Sequence, residues 1–238
     1  MVFFKRRGVA PNIGKQLSSY NVGDIVKLNE GGSPVEYLIV HKGLPDATLY
    51  DASCDGVWLL RKDIYETRKW HSSDSSIYAK STINTYLNND FFNLLDSKTQ
   101  KAIKEVKIPY VNGNGSNGTV ESGSKGLLTK AFLLSGCEVG FTTKDNSFIP
   151  VDGSKLNYFL SGTDSAAKTI RIAELKSTGS ANHWWLRSPC TNSTTSAWYV
   201  SNVGGLTYSN CTSSTGIRPA LILPYTTRFN PDTNIIIG

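Results

Sequence analysis

No run of apolar residues in this 238-residue chain approaches the length of a bilayer-spanning helix, which excludes a helical membrane anchor within it. Methionine occurs once, and the four cysteines (Cys54, Cys137, Cys190, Cys211) contain no Cys-x-x-Cys pair and no histidine at metal-ligand spacing. His41, His71 and His183 are isolated from one another, so they read as half-buried polar residues and no metal or cofactor is expected. Met1 to Ala10 is positively charged, but no apolar core follows it, so a signal peptide is not expected. The net charge of +6 is scattered, with small concentrations in FFKRRG and between Lys98 and Lys107; no basic stripe points to a nucleic-acid partner.

The most telling scarcity is local. From Ser188 to Ile217, thirty residues pass without a charged side chain, where the chain's 18% charged content would supply about five. Between Thr191 and Thr215, 15 of 25 residues are Ser, Thr or Asn, and Trp198, Tyr199 and Tyr208 stand among them. Small hydrogen-bonding side chains mixed with a few rigid aromatics are the composition of a paratope rather than of an active site. Cys190 and Cys211 flank this window, and a disulfide between them is one pairing that the spacing leaves open.

Elsewhere the chain has what a folded domain needs. At 39% hydrophobic residues it can bury a sizeable core. VGDIVKL and VEYLIVHKG, joined by Gly-Gly-Ser-Pro, predict a hairpin, and VWLLRKDIY a further apolar strand. Ile83, Tyr86, Leu87, Phe91, Leu94 and Leu95 recur at helical spacing over Ser81 to Leu95. Ser97 and Gln100 have the spacing of a capping box for a second short helix through Ala102, Ile103 and Val106, which Pro109 would stop. A third short helix is expected within Ala166 to Leu175. Asn112 to Gly126 is a Gly, Asn and Ser loop without core-forming side chains, and the last third reads as short strands with a turn at Gly204–Gly205. The expected organisation is an arm (1–21), one α+β domain (22–224) and a tail (225–238) whose Ile235-Ile236-Ile237 needs cover.

WWLRSP (Trp184 to Pro189), AWYV (Ala197 to Val200), Gly204-Gly205 and GIRPAL (Gly216 to Leu221) together resemble the carboxy-terminal pattern of C-type-lectin-like proteins of gut phages and bacteria, many of them variable proteins of diversity-generating retroelements. GVWLLRKDIYE, STINTYLN and VKIPY are also similar to this family, so the resemblance spans about Val22 to Pro224. It implies a C-type-lectin-like fold of short antiparallel strands, two helices and irregular loops. It also implies a non-enzymatic, ligand-binding role on a phage virion or bacterial cell surface. The partner would be a bacterial surface protein or glycan, with oligomerisation or attachment to virion tail proteins through the terminal segments. Such systems mutate adenines in Asn-type codons, which cannot yield Lys, Glu, Gln, Met or Trp. From Cys190 to Thr215 the first four are absent, and the single Trp, Trp198, falls on the implied fixed scaffold.

That scaffold would comprise Trp184, Trp185, Arg187, Trp198 and Arg218, with the arginines hydrogen-bonded to carbonyls or to a buried carboxylate. The variable surface would comprise Cys190, Ser193, Thr194, Thr195, Ser196, Ser201, Asn202, Val203, Leu206, Thr207, Tyr208, Ser209, Thr212, Ser213 and Ser214, with Tyr208 its chief anchor. Three other roles fit the same residues less well. A structural tail or virion-decoration domain needs no ligand. A calcium-dependent sugar lectin needs carboxylates that the window lacks, although Asp145 and Asp152 lie upstream. A relative of formylglycine-generating oxidases needs an activated cysteine pair, and nothing in sequence tunes Cys190 or Cys211.

Overall fold

The computed structural model describes residues 14–238. Among them, two larger sheets contain nine strands: β1 (Ile25–Glu30), β2 (Ser33–Lys42), β3 (Val57–Arg61), β4 (Glu66–Lys69), β5 (Trp184–Pro189), β6 (Ser196–Val200), β7 (Leu206–Asn210), β8 (Ser214–Ile217) and β9 (Ala220–Leu223). One sheet is antiparallel in the order β9-β3-β2-β1. The other runs β7-β6-β5-β8-β4, with β5 and β8 parallel through Trp184 and Gly216. Short pair-wise strands and short helices complete a mixed α+β fold that is mostly strand, and neither large sheet closes into a barrel.

The hairpin of β1 and β2 forms as its sequence predicts. Glu30 pairs with Ser33, and the two turn residues, Gly31 and Gly32, have φ of +56° and +83°. That combination is the tight turn that suits a twisted hairpin and favours glycine at both positions. The chain crosses between the sheets twice, after β3 and again between β8 and β9 at Arg218-Pro219.

The helix predicted over Ser81 to Leu95 begins as α1 (Thr82–Tyr86), capped by the Ser81 hydroxyl, which accepts from the Asn84 N–H. It then widens into a π turn at Leu87–Phe91 before a last α turn at Phe92–Leu94. Sequence spacing accounts for the widening. Ile83, Leu87, Phe91 and Leu95 are all buried and recur every fourth residue. In a pure α-helix such a row drifts by about 40° per step, and a π turn brings it back to one face.

The second helix differs from its prediction. In α2 (Ser97–Ala102) the cap is Asp96, one residue earlier than the Ser97 expected, and its carboxylate accepts from the Thr99 N–H at 2.8 Å. Gln100 donates to the Phe92 and Leu95 carbonyls instead of closing a capping box. The helix ends at Ala102 because Ile103 turns extended, and Val106 belongs to a strand, Val106–Ile108, before Pro109 is reached. The third helix is confined to α3 (Ser165–Thr169), and Ala173–Leu175 pairs with Ser180–Asn182 as a small hairpin.

Residues 1–13 of the expected arm lie outside the described residues. Residues 14–21 and the expected tail fold onto the domain. Lys15 and Gln16 pair with Phe229 and Arg228, and the Ile236 N–H donates to the Lys27 carbonyl with its side chain buried.

Two apolar clusters lie against the sheets. Successive residues of β5 point to opposite faces, so Trp185 enters the first cluster and Trp184 the second. Replacing Asp96 with Ala should lower the unfolding free energy in urea by about 1 kcal/mol, while Ser97→Ala should leave it nearly unchanged.

Candidate functional site

Arg187 anchors the base of the charge-free window, and it is fully enclosed. Its Nη1 and Nη2 donate to Glu138 Oε2 and Oε1, both at 2.6 Å. Nε donates to the Pro109 carbonyl, Nη1 also to that of Leu133 and Nη2 also to that of Asp152. All five guanidinium N–H groups therefore have acceptors, as the fork geometry of arginine allows. Burial works against the charge, but Glu138 more than offsets it, so the guanidinium pKa ends above its ordinary value. Glu138 in turn accepts from Tyr50 Oη and the Ser135 N–H. Next to it, buried Asp152 accepts from the Ser188 hydroxyl, whose oxygen accepts from the Gly136 N–H. The expectation of a buried carboxylate for Arg187 is met by Glu138, a residue that nothing in its local sequence singles out.

Trp184, Trp185 and Trp198 are buried, as a scaffold requires. Their indole N–H groups donate to the carbonyls of Arg171, Arg68 and Phe148 respectively. The Tyr208 ring stands edge-on to Trp198 at 5.1 Å between centroids, because the two residues are paired across β6 and β7. Arg218 lies over the Trp184 ring and donates from Nε to the Arg61 carbonyl.

The window divides into an enclosed part and an open one. Thr194, Asn202, Val203, Thr207, Tyr208 and Ser214 are exposed, Val203 at 62% and Tyr208 at 47%. Ser193, Thr195, Ser201, Leu206, Ser209, Thr212 and Ser213 are half-buried. Two expected surface positions are corrected: Cys190 and Ser196 are buried. The Cys190 thiol packs in the second apolar cluster and donates to Asn192 Oδ1, and Ser196 accepts from the Ser193 hydroxyl at the start of β6. Cys211 is buried in the other cluster, and all four cysteines are free, so the Cys190–Cys211 disulfide does not form.

Neighbouring loops fasten the open part, and they take hold of its main chain. The Ser76 N–H and hydroxyl both donate to the Thr194 carbonyl. The Thr191 N–H donates to the Phe148 carbonyl, the Cys211 N–H to that of Thr195 and the His71 N–H to that of Cys211. Gly115, from the loop expected to contribute nothing to the core, is buried against the Cys190 and Ser193 carbonyls, where a side chain would not fit. Gly204 sits equally hard against the Lys168 carbonyl at a φ of +75°. These supports were not legible locally, because contact with a carbonyl leaves no trace in the residue type that provides it. The Asn-Gly pattern of the 112–118 loop was the available signal. Asp74 also reaches the rim, 3.5 Å from the Thr212 hydroxyl, and gives the neutral surface one acidic neighbour.

This arrangement presents hydroxyls, amides and an aromatic edge, the chemistry of recognition by hydrogen bonds and contact. Burial pushes the Cys211 thiol up to about 12 and raises that of Cys190, which keeps both protonated. Asp145 is taken up in its own turn, accepting from the Thr142 N–H and hydroxyl, and Asp152 lies apart from it in the interior. Among the described residues, no three His, Cys, Asp or Glu side chains gather as a metal site.

Burial, with Arg187 opposing, raises the Asp152 carboxyl from 3.8 to about 6. The folded state therefore binds this proton more tightly than the unfolded one. The resulting stability is complete below about pH 4 and is lost as pH rises through about 6. Asp152→Asn, which cannot ionise, should gain on the wild type by about 2–3 kcal/mol between about pH 4 and pH 8, read as urea midpoints across that range.

No curated protein and no solved structure matches the chain. Residues 55–225 match the model of one family, described as a domain of unknown function. That stretch runs from just before β3 to just after β9, and includes the window with Arg187, Glu138 and Asp152 beneath it. Because the match covers more than half of its length, the chain belongs to the DUF6273 family.

Proposed function

We propose that this chain is a non-enzymatic ligand-binding protein with a C-type-lectin-like fold. It displays a variable face, as the variable proteins of diversity-generating retroelements do, toward a protein or glycan on a bacterial surface. One observation carries the reading. Within a single stretch, the rigid elements are buried and the residues that reach solvent sit on turns, on an edge strand and, for Ser214, at the very start of β8. β7 pairs with β6 alone, so Thr207 and Tyr208 stand at the free margin of the sheet, with Asn202 and Val203 on the turn before it. Loops and margins on a firm base accept many side chains without disturbing the fold.

The composition supports the same reading, since the open positions hold only residues that adenine-directed change of Asn codons can reach. Tyr208 is the anchor of the proposed face. It combines exposed area with a ring already seated on Trp198, so little entropy is lost on contact. Location on a phage virion or a bacterial cell surface belongs to this proposal, as does assembly with copies of itself or with tail proteins. Of the terminal segments expected to mediate attachment, residues 14–21 and 225–238 pack on the domain, and residues 1–13 lie outside the described residues.

The neighbouring genome provides the direct test. A near-copy of the codons for residues 188–217, differing at adenines and accompanied by a reverse transcriptase, is the expected finding; a locus with neither would end the proposal. The protein itself should show the same division. Alanine at Thr194, Asn202, Val203, Thr207 or Ser214 should change the unfolding free energy by no more than about 0.5 kcal/mol. Tyrosine at Cys190 or Ser196 should cost about 1–3 kcal/mol or more by overpacking.

A further inference from the structure

Four arginines are buried among the described residues, and they are not equally provided for. Arg61 has the Glu30 carboxylate, with Nε at 3.0 Å, and also the Asp63 carbonyl. Arg187 has Glu138 and three carbonyls. Arg171 has no ion pair among the described residues and its Nη1 is also unbonded, but it grips the carbonyls of Val139, Leu160 and Gly162. Arg218 has one carbonyl, that of Arg61, for its five donors. Its Nη1 is buried with no hydrogen-bond partner among the described residues. Its Nη2 makes no hydrogen bond either, yet is not sealed off, and only 3% of the residue is exposed. A guanidinium desolvated to this degree with one acceptor and no carboxylate is costly, since buried charges are ordinarily paired. Burial accordingly lowers the Arg218 pKa to about 10.

Arg218 also forms part of the wall of a cleft of about 580 Å³. Leu38, Ile170, Ile172 and Tyr158 give the same cleft an apolar lining. Asp63 and Glu174 stand in its wall, but neither forms an ion pair with Arg218. Lys62, also in the wall, is held by Glu36 at 2.7 Å. The cleft therefore offers one cation without an ion pair among apolar walls, with two acids nearby. Those acids repel a dianion such as a phosphate monoester more strongly than a single carboxylate. A carboxylate oxygen can accept from Nη2, the one donor group of Arg218 that is neither sealed off nor bonded.

We infer that this cleft is a second ligand site, separate from the charge-free window, and that it takes a monocarboxylate with an apolar body whose carboxylate pairs with Arg218. α3 stands between the two surfaces. Its Lys168 carbonyl backs the Gly204 turn of the window, and Thr169 and Ile170 border the cleft. The variable face and the carboxylate site therefore share a wall, although neither depends on the other for its chemistry.

Hexanoate and its uncharged counterpart hexanamide distinguish charge recognition from apolar filling. Titration calorimetry and thermal shift on the full chain should show saturable hexanoate binding below about 10 mM, with hexanamide at least about tenfold weaker. Ile172 is 39% exposed at the cleft, so Ile172→Glu should fold normally and weaken hexanoate by at least about tenfold through like-charge repulsion. Arg218→Met should abolish the preference for the acid over the amide wherever that variant folds. Absence of saturable hexanoate binding, equal binding of acid and amide, or undiminished hexanoate binding by the Ile172→Glu protein would each overturn the inference. None of these outcomes bears on the variable face, which the genomic test addresses separately.

Discussion

The ion pair between Arg187 and Glu138 is the constraint on which the rest of this structure leans. Much of the chain between α2 and β5 is irregular, and irregular backbone brings carbonyls into the interior without a neighbouring strand to bond them. Such groups must find donors. Arg187 supplies donors to the Pro109, Leu133 and Asp152 carbonyls while Glu138 holds its charge. Taking two charges out of water is repaid only when geometry is good and the remaining groups are satisfied. Here both conditions hold, and three separate stretches of loop are tied to one strand.

That tie explains why a surface of small neutral residues can sit so close to a charged interior. The Arg187 cation is neutralised one residue below the window, and Ser188 is turned inward to Asp152. The absence of charge from Ser188 to Ile217 then has two different origins. Ser188 to Cys190, Ser196 to Trp198, Cys211 and Thr215 to Ile217 are enclosed, and an unpaired charge there would be prohibitively desolvated. Val200 and Gly204 are buried as well, whereas the exposed positions, such as Thr194, Asn202, Val203, Thr207, Tyr208 and Ser214, face water and could carry charge at little cost. Only for these does neutrality need an explanation beyond packing.

The sequence was informative where a local rule governs the outcome. Gly31-Gly32 between alternating strands specifies a hairpin, and Ser81 before a periodic apolar row specifies a helix start. It misled where two local rules compete: Asp96 outranks Ser97 as a cap, and the fourfold spacing of Ile83, Leu87, Phe91 and Leu95 widens a turn that periodicity alone reads as regular. It was silent about partners distant along the chain. Arg187 asked for a carboxylate, but nothing near Glu138 marks it as the answer. Cys190 and Ser196 looked like surface residues because their neighbours are polar; their burial follows from positions at the end of β5 and the start of β6. Gly115 belonged to a stretch read as a loop without core-forming side chains, and it is the piece that fits under the window.

The attachments of the 191–195 and 211 turns have a consequence of their own. Ser76, Phe148, Gly115 and His71 meet amide groups and carbonyl oxygens, which nineteen kinds of residue carry alike. The grip is thus blind to the side chain above it where that side chain points outward, as at Thr194; at 211 the Cys side chain is itself buried, and packing limits the choice as well. Proline is the exception, since at 191 or 211 it would delete the hydrogen that spans to Phe148 or Thr195. At the outward-pointing positions, the boundary on permissible sequences is set by the peptide link and not by the alphabet it displays.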